Sequence, residues 1–322
     1  MSAVLDTLPG HAYRLAMKIN RRTFIQTAAA SAVAIPAATA ATVTAAQVPG
    51  FTPNKTPLKL GLMTYMVGAS WDIPTIIKNL KETKYEHVQL RTTHKHGVEL
   101  TLTKEQRAEV KQRFIDAGLK ISTASAYQYH DADPAVVRRN IEGTKQFLQL
   151  TADVGAQGVR VFPNGVPDEG NPNREKTLEQ IGKSVSECAT VAHGLGVQLR
   201  MEEHGNGTSN IPTVRKILDY ADNPHVYIIW NCSATDTGKG PGLPKGYEGM
   251  PIAKQFDLVK GRIGNVHLRE LHTDYPWREL FSLLSQSGFQ GYCDVEVSPE
   301  STESIRFLHN FRALFLALQN AV

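Results

Sequence analysis

The sequence predicts an α/β chain folded as a single (β/α)8 TIM barrel. Eight short β-type runs alternate with eight helical patterns. The alternation fills 58–322, close to the roughly 250 residues that such a barrel takes. No glycine-rich phosphate fingerprint follows the first run, where "MVGASWD" stands instead, and this disfavours an open dinucleotide-binding sheet.

Taken in order, the β-type runs begin with "LKLGLMTYMV" (58–67), "HVQLRTT" (87–93), "KISTASAY" (120–127) and "GVRVFP" (158–163). They continue with "VQLRMEEH" (197–204), "VYIIWNC" (226–232), "IGNVHLRE" (263–270) and "GYCDVEVS" (291–298). Helices fall between them. In 103–118, Ala108, Val110, Phe114 and Ile115 sit near helical spacing, and Gly118 supplies the stop. Asp133–Pro134 opens the next helical stretch, 173–196 follows the same logic, and a glycine closes each.

The segment before the barrel reads as an address. Arg21 and Arg22 precede an apolar, Ala-rich run that ends in small residues, the pattern of a twin-arginine export signal. The expected division is a signal peptide over 1–46, cleaved after Ala46 or near Ala40, then a linker over 47–57. Met17 begins a more compact signal of the same kind. Pro36 breaks the apolar run, which is too short and weak for stable membrane insertion. Export by this route predicts a periplasmic protein.

Charge and cysteines narrow the classes further. The formal net charge is +4, but Arg14, Lys18, Arg21 and Arg22 against Asp6 account for +3, leaving +1 for the rest. That balance offers no basic face for nucleic acid. Cys188, Cys232 and Cys293 are widely separated and form no disulfide framework.

A barrel concentrates its chemistry at the C-terminal ends of its strands, and polar residues accumulate there. His94, His96 and Glu99 follow the second run, Tyr127, Tyr129 and His130 the third, and Asn164 the fourth. Strand alternation sorts those on the remaining runs. Arg200, Glu202 and His204 share one face, with Met201 and Glu203 on the other. Val266 and Leu268 pack outward, turning His267 and Arg269 inward. Val295 and Val297 do the same for Asp294 and Glu296, and Asn231 shares its face with Ile229. Four adjacent strands thus aim Glu202, Asn231, His267 and Glu296 at a common space. Two carboxylates, an imidazole and an amide oxygen suit Mn²⁺, Mg²⁺, Co²⁺ or Zn²⁺ in an open site. A hydrogen-bonded core polar group is the plainer account of any one of them alone.

At these residues the chain resembles the sugar phosphate isomerase/epimerase family, with its xylose isomerase-like barrel. The carrying motifs are "EEHG" (202–205), "VHLRE" (266–270) and "GFQGYCDVE" (288–296), with "PWRELFSLLSQSGFQG" (276–291) as the preceding helix. The resemblance covers 58–320. It implies a divalent metal held by Glu202, Asn231, His267 and Glu296, although relatives place Asp where this chain has Asn231 and a histidine where it has Ala234. Asp236 is an alternative ligand. The resemblance further implies proton transfer at a carbon next to a carbonyl, through an enediolate. Glu202 and Glu296 would be the acid–base pair, Arg269 would hold a substrate oxygen, and His204 would orient Glu202 or shuttle a proton. The plainer alternatives are an ion pair for Arg269 and a supporting hydrogen bond for His204.

Expected carbohydrate contacts are His94 and His96 in a substrate-touching or merely solvated loop, Tyr127 and Trp230 as stacking or filler aromatics, Asn164, and Glu270. The small-molecule partner is a sugar, and a homodimer is common in the family. Two rival functions stand beside isomerase or epimerase. One is a lyase or dehydratase acting on a keto-sugar or polyol; the other is a carbohydrate-binding barrel without catalysis, for which Asn231 is the main argument.

Overall fold

Alternate outward residues on most strands are aliphatic, and this pattern packs the sheet against its helices. In the computed structural model, residues 56–298 and 303–319 are described. Eight parallel strands pair in chain order and β1 pairs back to β8, forming a closed barrel. Strand β1 (Lys59–Met63) leads to helix α1 (Ile73–Thr83), β2 (His87–Arg91) to α2 (Lys104–Ala117), and β3 (Lys120–Gln128) to α3 (Pro134–Asp153). Then come β4 (Gly158–Phe162), α4 (Arg174–Gly194), β5 (Gln198–Glu202) and α5 (Ile211–Ala221). Strand β6 (Val226–Trp230) is followed by a 3₁₀ turn (Ala234–Thr237) and α6 (Ile252–Val259). Strand β7 (Ile263–Leu268), α7 (Trp277–Ser287), β8 (Tyr292–Val295) and α8 (Ser304–Leu318) complete the order.

The expected α/β barrel is the observed one. Most strands stop sooner than their β-type runs, because the polar residues beyond them leave the ladder to build the mouth. The export signal over 1–46 lies outside the described residues, as does most of the linker. Among the described residues, no helix is long and apolar enough to cross a membrane.

Helix starts follow their local chemistry. The Asp72 and Asn210 side chains accept from the backbone N–H of Thr75 and Thr213, ahead of Pro74 and Pro212 in the first turns of α1 and α5. Thr103 and Gln106 form a reciprocal capping box on α2. Each such cap contributes about 1 kcal/mol.

The apolar core is an annulus between sheet and helices. Outward Leu62, Val88, Leu90, Val159, Val161, Leu199, Met201, Ile228 and Val266 are buried against helix residues such as Ile76, Leu80, Leu148 and Ile181. The barrel's inside is different. Barrels of this kind commonly fill their interior with branched aliphatics, yet here His87, Gln89, Ser122, Arg160, Arg200, Asn265, His267 and Asp294 are all buried. Several of them hydrogen-bond across strands. His87 Nδ1 donates to Asp294 Oδ1 at 2.6 Å, Asn265 Nδ2 to Asp294 Oδ2 at 2.7 Å, and Gln89 Nε2 to Ser122 Oγ at 3.3 Å.

Candidate active site at the C-terminal mouth

Glu202 ends β5, His267 lies on β7, and Glu296 follows β8, so the closed register brings three buried ligand-type side chains together. Each offers an atom within 4.8 Å of the others. His267 Nδ1 lies 3.4 Å from Glu202 Oε1 and 3.3 Å from Glu296 Oε2. Donors bound about 2.1 Å from one ion at tetrahedral or octahedral angles stand about 3.0–3.4 Å apart. His267 Nδ1, Glu202 Oε2 and Glu296 Oε2 are buried and make no hydrogen bond. On the far side of the imidazole, Nε2–H donates to Gln89 Oε1 at 2.9 Å, directing Nδ1 toward the carboxylates. Three convergent ligand-type side chains, held in place with a fixed imidazole, fit a divalent cation.

Two arginines flank this trio. Arg160 Nε is 3.3 Å from Glu202 Oε2, and Arg269 Nη1 is 3.4 Å from Glu296 Oε2. The Arg160 guanidinium lies 3.9 Å above the Phe162 ring, which packs 4.5 Å from His204. Burial works against a charged Glu202, but His267 and Arg160 outweigh it and hold the carboxyl down at about 2. Burial also opposes charge on His267, and the carboxylates of Glu296 and Glu202 overcome it, raising the imidazole to about 10.

Asn231 stands at the site with its amide engaged on both sides. Its Oδ1 accepts from Arg269 Nη2 at 2.8 Å, while its Nδ2 donates to Glu202 Oε1 at 3.2 Å and to the Glu203 carbonyl at 3.0 Å. Reversing the amide would set oxygen against two oxygens and nitrogen against a guanidinium. Asn231, the expected fourth ligand, here bridges Arg269 and Glu202. Asp236 does not replace it. The backbone N–H of Ser233 donates to Asp236 Oδ2 at 2.9 Å, and the Tyr275 hydroxyl donates to the same oxygen at 2.7 Å.

Behind the mouth, Glu203 and Asp236 form a buried pair of carboxyl groups hydrogen-bonded to each other. Burial and the neighbouring Asp236 push Glu203 well above the carboxylate range, and burial raises Asp236 to about 6. Glu203 Oε2 also accepts from the Asn231 backbone N–H at 3.3 Å. The pair thereby braces the end of β6.

Comparison with known proteins agrees with this architecture. The model of the xylose isomerase-like TIM barrel family matches residues 77–311, most of the chain. The chain belongs to that family. Among solved structures, an L-ribulose 3-epimerase superposes with a TM-score of 0.64 at 14% identity, covering 82% of this chain and 95% of its own. A 3-keto-D-glucoside 4-epimerase from E. coli gives 0.62 at 17%, covering 83% and 100%. An IolI protein with a zinc atom bound gives 0.63 at 14%, covering 82% and 99%. No curated protein matches the sequence.

Within this xylose isomerase-like barrel, the other expected contacts divide. His204 and Asn164 belong to the mouth. His204 Nδ1 lies 2.6 Å from Asn164 Oδ1, and Asn164 Nδ2 donates to Gln128 Oε1 at 2.5 Å. Asn164 adopts φ 34°, a left-handed conformation that a short amide tolerates. The glycine of "EEHG" is required here, because a Cβ on Gly205 would lie 2.7 Å from Asn164 Cα. His94 is half-buried beside Thr64 and Tyr65, its imidazole lowered to about 4 by burial and by Arg91.

Three expectations are corrected. Trp230 faces outward, fully buried, and donates to the Tyr275 hydroxyl at 2.8 Å. Tyr127 also takes the outward parity and packs on α3 against Phe147 and Gly143, leaving Gln128 to face the mouth. His96 has both nitrogens engaged, with Nε2 donating to the Arg91 carbonyl and Nδ1 accepting from the Val98 N–H, so it shapes its loop. Glu270, which directly follows Arg269, lines a crevice with His272, Val297 and Arg306.

The mouth also contains residues missed from the sequence. Arg160 stands between outward Val159 and Val161, and Gln89 between Val88 and Leu90. The alternation that placed His267 would have placed both inside.

Proposed function

We propose that this barrel is a metal-dependent isomerase or epimerase of a sugar or sugar derivative. The observation that carries the reading is the convergence of the buried ligand-type side chains Glu202, His267 and Glu296 at the C-terminal mouth. The epimerase neighbours support a carbohydrate substrate. Glu202, His267 and Glu296 would hold the ion, leaving open positions. When bound, the ion would polarise a carbonyl and its adjacent hydroxyl.

The chain's own residues supply the remainder. Arg160 and His267 keep Glu202 ionised, which suits holding charge better than taking a proton near neutral pH. Glu296, on the far strand, takes the proton from the carbon next to the carbonyl. Arg160 and Arg269 face the negative charge that develops on the substrate oxygens. Proton delivery by solvent on the face opposite Glu296 would invert the carbon; return by Glu296 would not. His204, held by Asn164, orients a hydroxyl.

A second reading rests on the same arginines. Arg160 and Arg269 already offset the charges of Glu202 and Glu296, a balance that suits a sugar-binding barrel without a metal. Elemental analysis, together with NMR of ketoses incubated with the protein in D2O, separates the two. Bound metal and C–H to C–D exchange beside the carbonyl support the enzyme, and loss of water from the substrate supports the lyase alternative. Metal-free protein that binds ketoses without exchange sinks the first reading. Periplasmic export is proposed from Arg21 and Arg22. Retained export after both are changed to Lys would remove that support.

A further inference from the structure

The end of the barrel opposite the candidate active site contains an unpaired buried cation. Arg200, on β5, is 3% exposed and turns toward the N-terminal mouth. There it lines a cavity of about 510 Å³ with Gln157, Gln198, Tyr227, Gln290 and Gly264. Its Nε donates to Gln198 Oε1 at 2.8 Å, while its Nη1 is buried without any hydrogen-bond partner. No carboxylate lines the cavity, and Arg200 makes no ion pair among the described residues.

Space for this guanidinium is built into the backbone. A Cβ on Gly158 would lie 3.0 Å from Arg200 Nε, and one on Gly264 would lie 3.0 Å from both Cδ and Nε. The acid that acts most on Arg200 is Asp294, yet both Asp294 oxygens are taken by His87 and Asn265. Burial lowers the Arg200 guanidinium to about 10, still charged at neutral pH. A buried charge without a counter-ion is costly, and a planar guanidinium matches carboxylate or phosphate oxygens two at a time.

We propose that the N-terminal mouth binds a small anion through a carboxylate or phosphate group, taken by Arg200 with the amides of Gln157, Gln198 and Gln290 around it. This site is independent of the reading of the C-terminal mouth. Thermal melts with inorganic phosphate and, separately, citrate at constant ionic strength test it. A saturable rise in Tm is expected in the wild type and in His267→Ala, which alters only the opposite mouth. Arg200→Gln should weaken the apparent affinity at least tenfold. Gln198→Glu should abolish the rise while raising the ligand-free Tm, because its carboxylate would meet Arg200 internally. That variant keeps the test open if Arg200→Gln fails to fold. A response to one anion alone identifies the group recognised. No saturable rise in the wild type, or a rise unchanged in Gln198→Glu, overturns the proposal.

Discussion

Arg269 Nη2 donates to the amide oxygen of Asn231 at 2.8 Å, and the same amide presents its nitrogen to Glu202 at 3.2 Å. One neutral side chain thereby passes the pull of a guanidinium to a carboxylate across two strands. An aspartate there would keep the Arg269 contact but set a second oxygen against Glu202.

Asn231→Asp should therefore behave oppositely with and without metal. Metal-free protein should lose about 1–3 kcal/mol, as a favourable contact becomes a like-charge one. Divalent-metal affinity should rise roughly tenfold or more from the added charge. Unfolding curves with and without chelator read both effects, and equal shifts in the two conditions would contradict this account.

Metal uptake should depend on pH through His267. Its folded value, about 10, lies above the ordinary 6.5, so its proton stabilises the metal-free fold fully below about 6.5. That contribution is lost as pH rises through about 10. A cation at Nδ1 must displace the same proton, so apparent affinity should climb by up to about tenfold per pH unit between 7 and 9. Indicator titrations at three pH values would show this. A flat profile would mean that His267 is not a ligand.

Gln89, fully buried, fixes the imidazole through its side-chain oxygen. Gln89→Leu leaves His267 Nε2 without its acceptor and should weaken metal binding about 10–100-fold while the barrel still folds. Gln89→Glu keeps an acceptor and should lose less. If both variants bind metal like wild type, the orientation argument fails.

The Glu203–Asp236 pair predicts a different pH dependence. Both folded values lie above the ordinary 4.5 and 3.8, so the retained proton stabilises the fold fully at acid pH. Its contribution fades as pH rises through the folded values, from about 6 upward. Glu203→Gln substitutes a permanent N–H donor. It should exceed wild type by about 1 kcal/mol or more at alkaline pH and show a flatter stability profile from pH 5 to 9. Parallel Tm curves for the two proteins would refute a shared proton.

Much of this arrangement was legible as period-two alternation. Val266 and Leu268 turn His267 inward, and Met201 does the same for Glu202. For Tyr127 and Trp230 the same parity, not their aromatic character, decides their place, and it turns both outward. What Asn231 does was not legible at all. Its amide is oriented by Arg269, 38 positions later, and by Glu202, 29 positions earlier, and no local pattern encodes such contacts. The Glu203–Asp236 pair likewise needs the turn after Cys232, whose φ of 48° brings Ser233 beneath Glu203.

The division between an aliphatic annulus and a hydrogen-bonded axis bears on how such a chain can diverge. Dispersion and burial between sheet and helices hold the barrel closed, so inward positions are freed from supplying aliphatic bulk. Exchange of one axial side chain alters the charge and hydrogen bonding along the bore while every outward neighbour keeps its packing. Descendants of one ancestral barrel can then change the charge and hydrogen bonding of the mouth by steps at Asn231 or Arg160, without passing through an unfolded intermediate sequence.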